Sequence, residues 1–145
     1  MGIRFTTGTA VLALLAALAA PAALANAARV EFAVGEVDVV DASGERRRIG
    51  KGFILAAGDT VVTGAGRVQI RFTDGGYTSL QPGTELRIDE YAYDARDESG
   101  SRSFFSLLKG GLRTITGAIG KLNRKAYQIR TPVATIGIRG TEYLA

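Results

Sequence analysis

The 145-residue sequence contains no cysteine and no histidine. The lack of cysteine excludes a disulfide framework, and the lack of both residues excludes the usual zinc sites. A histidine general base, a cysteine nucleophile and a Ser-His-Asp triad are excluded for the same reason. Only carboxylates, Lys, Tyr, Ser, Thr and the backbone remain for chemistry. We therefore expect a protein that is not an enzyme, with no catalytic residues, no cofactor and no intrinsic metal site, iron included.

No hydrophobic run is long enough to span a bilayer. The longest, Ala10–Ala20, has 11 residues, whereas a spanning helix needs roughly 20. Arg4 precedes this run, and small residues with the A-x-A pattern follow it. These features predict a signal peptide over residues 1–25, cleaved after Ala25 or Ala27. The alternative is an uncleaved N-terminal anchor. We expect an exported mature chain, periplasmic or extracellular, without a transmembrane span.

Helical periodicity is scarce after this segment, whereas apolar and polar residues often alternate. Val68, Ile70 and Phe72 alternate with polar residues that face the other way, as in a half-buried strand. Asp74-Gly75 predicts a hairpin with a type I′ turn. Further strands are predicted around residues 37–39, 77–80, 86–88, 103–108, 112–115, 126–130 and 134–138. Turns every 8–12 residues or so are typical of an all-β fold, here a sandwich-like or solenoid-like stack of short strands and hairpins.

Acidic residues are absent from one long segment. From Ser99 to Thr141 there are eight basic residues and no acidic one: Arg102, Lys109, Arg113, Lys121, Arg124, Lys125, Arg130 and Arg139. This segment is either a basic surface for an acidic partner or a solvated face offset by the acidic stretch beside it, and we favour the second. We expect no nucleic-acid partner, because no stacking aromatics are interleaved in a recognisable module.

Three motifs match the patterns of catalytic or metal-binding sites only partly. Ser106 and Lys109 match S-x-x-K, but they lie in a predicted strand, where residues three apart face opposite sides. The segment 117–121 has the wrong spacing for a phosphate loop. The carboxylates within residues 89–98 match no EF-hand loop, and a solvated acidic loop is the better interpretation. None of these motifs predicts a functional site.

Three stretches together resemble a known family: "GDTVVTGAGRVQIRFTDGGYTSLQPGTELRI", "LLKGGLRTITG" and "YQIRTPVATIGIRGTEYLA". They resemble the FecR-type domain, the periplasmic module named for the ferric-citrate sensor, over residues 34–145. The residues that carry the pattern are Gly58, Asp59, Thr63, Gly64, Asp74, Gly75, Gly110, Gly111, Thr131, Pro132, Arg139, Gly140 and Thr141. We expect these residues to be structural rather than ligand-binding.

The resemblance implies an all-β, solenoid-like fold and a role in signalling. The best-known members receive a signal from the N-terminal signalling domain of an outer-membrane TonB-dependent transporter. They pass it through a transmembrane helix to a cytoplasmic segment that controls a sigma factor. This sequence lacks that relay, so we expect a sensory or adaptor module that binds another envelope protein, either such a transporter domain or an inner-membrane regulator. The alternative is a module that binds an anionic glycan or cell-wall polymer.

Overall fold

Two β-sheets pack face to face in the computed structural model. It describes residues 26–133, 135–136 and 142–144, the last three and Ile136 by their backbone only. The six-stranded sheet has the order β13-β10-β7-β6-β1-β4, and the seven-stranded sheet has the order β12-β11-β9-β8-β5-β2-β3. The strands are β1 (Asn26–Val34), β2 (Val37–Val40), β3 (Arg46–Arg48), β4 (Ile54–Ala56), β5 (Thr60–Thr63), β6 (Arg67–Phe72), β7 (Tyr77–Leu80), β8 (Glu85–Ala92), β9 (Arg102–Lys109), β10 (Leu112–Ile115), β11 (Tyr127–Arg130), β12 (Thr135–Ile136) and β13 (Glu142–Leu144).

The hydrophobic core lies between the two sheets. In β6 the side chains of Val68, Ile70 and Phe72 are buried, as their alternation predicts. From the opposite sheet, Phe105 packs its ring 5.0 Å from the Phe72 ring and 5.7 Å from the Tyr127 ring, measured between centroids. A core enclosed by two β layers confirms the all-β prediction. Of the two architectures that the sequence favours, sandwich-like and solenoid-like, the structure has the sandwich.

Most strands follow the sequence prediction, but some were not predicted. The predicted strands at residues 77–80 and 112–115 have the observed bounds of β7 and β10. Of the predicted strand at 134–138, the residues 135–136 form β12 and the others lie outside the described part of the chain. The sequence did not predict β1, β3 or β4. In particular, β3 consists of three exposed arginines with no alternation to mark it.

The hairpin at Asp74-Gly75 is confirmed, but the predicted type I′ turn is wrong. A type I′ turn needs positive φ at both central residues, whereas among the described residues only glycines have positive φ. Gly75 has φ +87°, and its N–H donates to the carbonyl of Phe72 at 3.0 Å. The Phe72 N–H donates to the carbonyl of Gly76 at 2.8 Å, which closes a three-residue loop. This is a type I turn followed by a glycine bulge, which the same Asp-Gly pair also permits.

A short helical segment separates β10 from β11. Helix α1 (Ala118–Leu122) occupies most of the stretch that resembles a phosphate loop, and a 3-10 turn at Arg124–Ala126 follows it. This connection allows β11 to pair in parallel with β9, with Tyr127 opposite Ser103. Within the described residues, no helix has the length and apolar character needed to cross a membrane.

Candidate binding surface

Asp74 connects the β6–β7 hairpin to α1. Its carboxylate accepts hydrogen bonds from the backbone N–H groups of Gly76 at 3.0 Å and Ile119 at 3.2 Å. Its own N–H donates to the hydroxyl oxygen of Tyr91 at 3.0 Å. Burial raises the pKa of the Tyr91 hydroxyl, so this group is neutral at physiological pH. Asp74 thus bonds to three separate parts of the sandwich.

Thr63 and Gly111 belong to one buried network at an end of the sandwich. The Thr63 hydroxyl accepts from the N–H of Thr84 at 2.9 Å and donates to the carbonyl of Gln81 at 2.6 Å. The Thr84 hydroxyl accepts from the N–H of Gly111 at 3.1 Å and donates to its carbonyl at 3.0 Å. Thr84 is fully buried, and sequence analysis did not single it out. The feature of the sequence that could have identified Thr84 is its position directly after the Pro-Gly turn.

Gly58 and Asp59 lie at the turn that leads into β5. The Gly58 N–H donates to the carbonyl of Ile88 at 2.7 Å, and the Asp59 carboxylate accepts from the N–H of Ala56 at 2.9 Å. Burial raises the pKa of Asp59. Gly64 follows β5, where its N–H donates to the carbonyl of Glu36 at 3.1 Å. These residues therefore shape the backbone around β5.

The last residues of the family pattern lie at or beyond the end of β11. Thr131 and Pro132 follow this strand, and the Thr131 hydroxyl accepts from the N–H of Val133 at 3.4 Å. Arg139, Gly140 and Thr141 lie outside the described residues. The structure therefore brings Asp74, Thr63 and Gly111 into hydrogen-bonded networks and does not test the closing Arg-Gly-Thr.

Most charged side chains on the outer face of the seven-stranded sheet are ion-paired, although Arg130 in β11 forms no ion pair with a described carboxylate. The Asp38 carboxylate lies 2.9 Å from Nε of Arg46 and 2.5 Å from Nε of Arg48. Hydrogen bonds from Arg48 and then Arg46 lower the pKa of Asp38. Arg87 pairs with Asp89 on β8. The five ion pairs whose two side chains are both described all lie on this sheet or in the turn after β2.

The S-x-x-K residues are separated by the strand that contains them. Ser106 is buried in β9, and its hydroxyl donates to the Asp89 carboxylate that Arg87 also contacts. Lys109, three residues on, is exposed. The strand thus places the two side chains in different environments, as the alternation of a strand predicts.

The acidic segment uses its carboxylates for its own turns. Asp94 accepts from the N–H of Arg96 at 2.8 Å. Asp97 accepts from the N–H and the hydroxyl of Ser99, and these bonds lower the pKa of Asp97. Within the described residues, no three acidic side chains converge as metal ligands would.

The basic segment of residues 99–141 does not form one surface. Arg102 pairs with Glu90 at 2.7 Å on the seven-stranded sheet, whereas Arg113 lies in β10 of the other sheet. Lys121 lies in α1, and Arg124 and Lys125 follow in the 3-10 turn. Arg139 lies outside the described residues. The Arg102–Glu90 pair is one instance of the offset by neighbouring acidic residues that we favoured from the sequence, and it involves one of the eight basic residues.

A different set of arginines shares the outer face of the six-stranded sheet. Arg29 in β1 and Arg67 and Arg71 in β6 are exposed there, and Arg113 in β10 lies on the same face. Arg29, Arg67 and Arg71 form no ion pair with any described carboxylate. We call this surface the arginine face. Large apolar side chains are exposed beside its arginines: Phe32 (52%), Val34 (54%), Ile54 (45%) and Ile115 (42%).

The arginine face contains a cavity of about 410 Å³ beside β1, β4 and β6. Arg29, Arg71 and Ile54 line it, together with the single carboxylate of Glu31. Arg29 and Arg71 are directly opposite each other in the register of the two antiparallel strands. This cavity is open to solvent.

The fold and its surfaces are those of an all-β sandwich domain. The family model described as FecR protein matches residues 59–145, which is more than half of the chain. The chain therefore belongs to the FecR family, as the resemblance in its sequence indicates. No curated protein and no solved structure matches it significantly.

Membership of this family links the chain in general terms to sensing and signal transduction at the cell envelope. The matched region begins at Asp59, within the sandwich. Strands β1 to β4 precede it, and β1 pairs with β6 near the middle of the six-stranded sheet. The arginine face is thus formed by residues on both sides of the start of the family match.

Proposed function

We propose that this chain is an exported sensory or adaptor module of envelope signalling, which acts by binding another protein and not by catalysis. The observation that carries the proposal is the contrast between the two outer faces. Most charged side chains on the outer face of the seven-stranded sheet are ion-paired. On the arginine face, by contrast, Arg29, Arg67 and Arg71 form no ion pair with a described carboxylate, and exposed apolar side chains lie beside them. Exposed apolar groups next to polar ones are typical of protein interaction sites.

The partner that we propose is another envelope protein. The FecR family is linked in general to envelope signalling partners. The candidates from the sequence resemblance are a TonB-dependent transporter signalling domain and an inner-membrane regulator. The alternative, an anionic glycan or cell-wall polymer, is favoured by the arginines themselves, because guanidinium groups bind carboxylates and phosphates of any source.

Site-specific photo-crosslinking in the native host tests this proposal. A photoreactive amino acid replaces Phe32 on the arginine face, and the matched control places it at Leu108, an exposed apolar residue of β9 in the other sheet. We expect adducts with an envelope protein from position 32 and not from position 108, identified by mass spectrometry. Equal labelling from both positions, or recovery of polysaccharide alone, would contradict the proposal.

The burial of Ala27 supports cleavage of the proposed signal peptide after Ala25. Ala27 is fully buried, and its carbonyl accepts from the N–H of Thr73 at 3.0 Å. Cleavage after Ala27 would remove this residue and the pairing of Asn26 with Ala56. We therefore expect the exported protein to begin at Asn26.

Intact-mass measurement of the exported protein identifies its first residue. A recombinant chain that begins at Ala28 is expected to lose about 1–2 kcal/mol of stability relative to one that begins at Asn26, because it lacks a buried side chain and a hydrogen bond. An exported protein that begins at Ala28, or equal unfolding midpoints of the two recombinant chains, would show that this end of β1 is dispensable.

A further inference from the structure

We propose that Arg29 and Arg71 form a carboxylate-binding site, and that its occupant is an acidic segment of a partner polypeptide. The inference rests on the proposed protein-binding function and adds the place and the chemistry of recognition. It names two residues in different strands, one of which precedes the region matched by the family model.

The two arginines oppose each other without a counter-ion among the described side chains. They are direct cross-strand partners, and like charges in such positions destabilise a sheet. Neither forms an ion pair with a described carboxylate, although Glu31 lines the same cavity. On the other sheet, by contrast, Arg46 and Arg48 share the carboxylate of Asp38. An external carboxylate between Arg29 and Arg71 would pair with both arginines, as Asp38 pairs with Arg46 and Arg48 on the other sheet.

The guanidinium of Arg71 is held in place by an aromatic ring. It lies 5.4 Å from the centroid of the Tyr77 ring, within the range of a cation–π contact. Tyr77 is the cross-strand neighbour of Arg71 on the side away from Arg29. A guanidinium that is already ordered loses less side-chain entropy when it binds a carboxylate, and such a pair can form two parallel hydrogen bonds.

Apolar residues on both sides of the two arginines and Tyr77 favour a polypeptide over a glycan. Ile54 is the cross-strand partner of Arg29, and Ile115 is the partner of Tyr77 on the far side. From β4 to β10 the row across the sheet therefore runs apolar, cationic, cationic, aromatic, apolar, and Glu142 follows it in β13. An acidic residue flanked by apolar residues matches this order, whereas a uronic-acid polymer has charges but no alkyl side chains to cover Ile54 and Ile115.

Peptide titration of the purified domain tests the site. The probe is a fluorescent hexapeptide of alternating Leu and Glu, compared with its Leu-Gln counterpart and with polygalacturonate, by anisotropy and by NMR of the arginine Nε–H groups. We expect the Glu peptide to bind, and R29Q/R71Q to weaken its binding about tenfold or more, since hydrogen bonds to charged groups are lost. E31Q, which removes the competing carboxylate, is expected to strengthen binding.

The double variant R46Q/R48Q is the matched control, because it removes the same charge from the ion-paired face. Unchanged peptide affinity in this control supports the site. Equal losses of affinity in both double variants would show that only the net charge of the protein matters, and would overturn the proposed site. Tighter binding of polygalacturonate than of the Glu peptide, or no binding of any probe, also overturns it. A melting temperature about 1–3 °C higher for R29Q at low salt is expected, because one opposed charge is gone while the contact of Arg71 with Tyr77 is kept.

The crosslinking experiment separates this inference from the proposed function. If the wild-type protein with the probe at position 32 captures an envelope protein and the R29Q/R71Q background captures it equally well, the carboxylate site is wrong and the protein-binding function stands. If the wild-type protein captures none, the proposed function itself fails.

Discussion

Replacing Gly110 by alanine is expected to destabilise the domain by roughly 2–5 kcal/mol, the sum of backbone strain and overpacking. Gly110 has φ +85°, a left-handed conformation that side chains disfavour. A Cβ atom there would lie 2.3 Å from the hydroxyl oxygen of Thr84 and 2.7 Å from the carbonyl oxygen of Gly83. Because Thr84 is fully buried in its network with Thr63 and Gly111, it cannot move away without breaking hydrogen bonds.

Gly44→Ala is the control that separates the two causes. Gly44 has φ +87°, close to that of Gly110, but no atom lies within 4 Å of the position of its Cβ. We expect Gly44→Ala to cost only about 1–2 kcal/mol, the backbone part alone. Urea unfolding of both variants measures the difference. If the two losses are equal, the close approach of Gly110 to Thr84 contributes nothing to stability.

Phe105→Ala is expected to cost about 3–5 kcal/mol of stability. Phe105 is 2% exposed and lies between the rings of Phe72 and Tyr127, so it joins the two sheets. Truncation to alanine removes both ring contacts and leaves a cavity in the middle of the sandwich. Thermal or urea unfolding checks this result.

Phe105→Leu is the matched variant, because leucine refills much of the space. It is expected to cost about 1–1.5 kcal/mol. A loss for Phe105→Leu as large as that for Phe105→Ala would indicate that ring geometry, rather than filled volume, stabilises this part of the core. A loss below 1 kcal/mol for Phe105→Ala would contradict the central position of this ring.

The alternation of apolar residues was enough to predict the central strands, and local chemistry limited the rest. In β6 each buried residue alternates with a polar one, so period 2 marks the strand. The Asp74-Gly75 pair predicted a hairpin but not its turn type, because a two-residue loop and a three-residue loop with a glycine bulge both accept Asp-Gly. Strand β1 was missed because it begins at Asn26, beside the predicted cleavage site.

The charge pattern along the chain did not locate the arginine face. The basic segment contributes Arg113 to the arginine face, but Arg29, Arg67 and Arg71 lie outside it. Arg67 and Arg71 were correctly expected on the outward side of β6. Their grouping with Arg29 depends on the pairing of β1 with β6, which links distant parts of the sequence and has no local signal.

The three arginines of β3 have a consequence for how copies of this protein meet. This strand is the last in the seven-stranded sheet, and an open edge of that kind is a template for adding strands from another copy. Two copies that approached through β3 would bring three arginine side chains from each into one narrow seam. The carboxylates of Asp38 and Asp41 offset part of this charge. Repulsion between the positive charge that remains opposes end-to-end growth into fibres, and concentrated salt, which screens it, removes that protection.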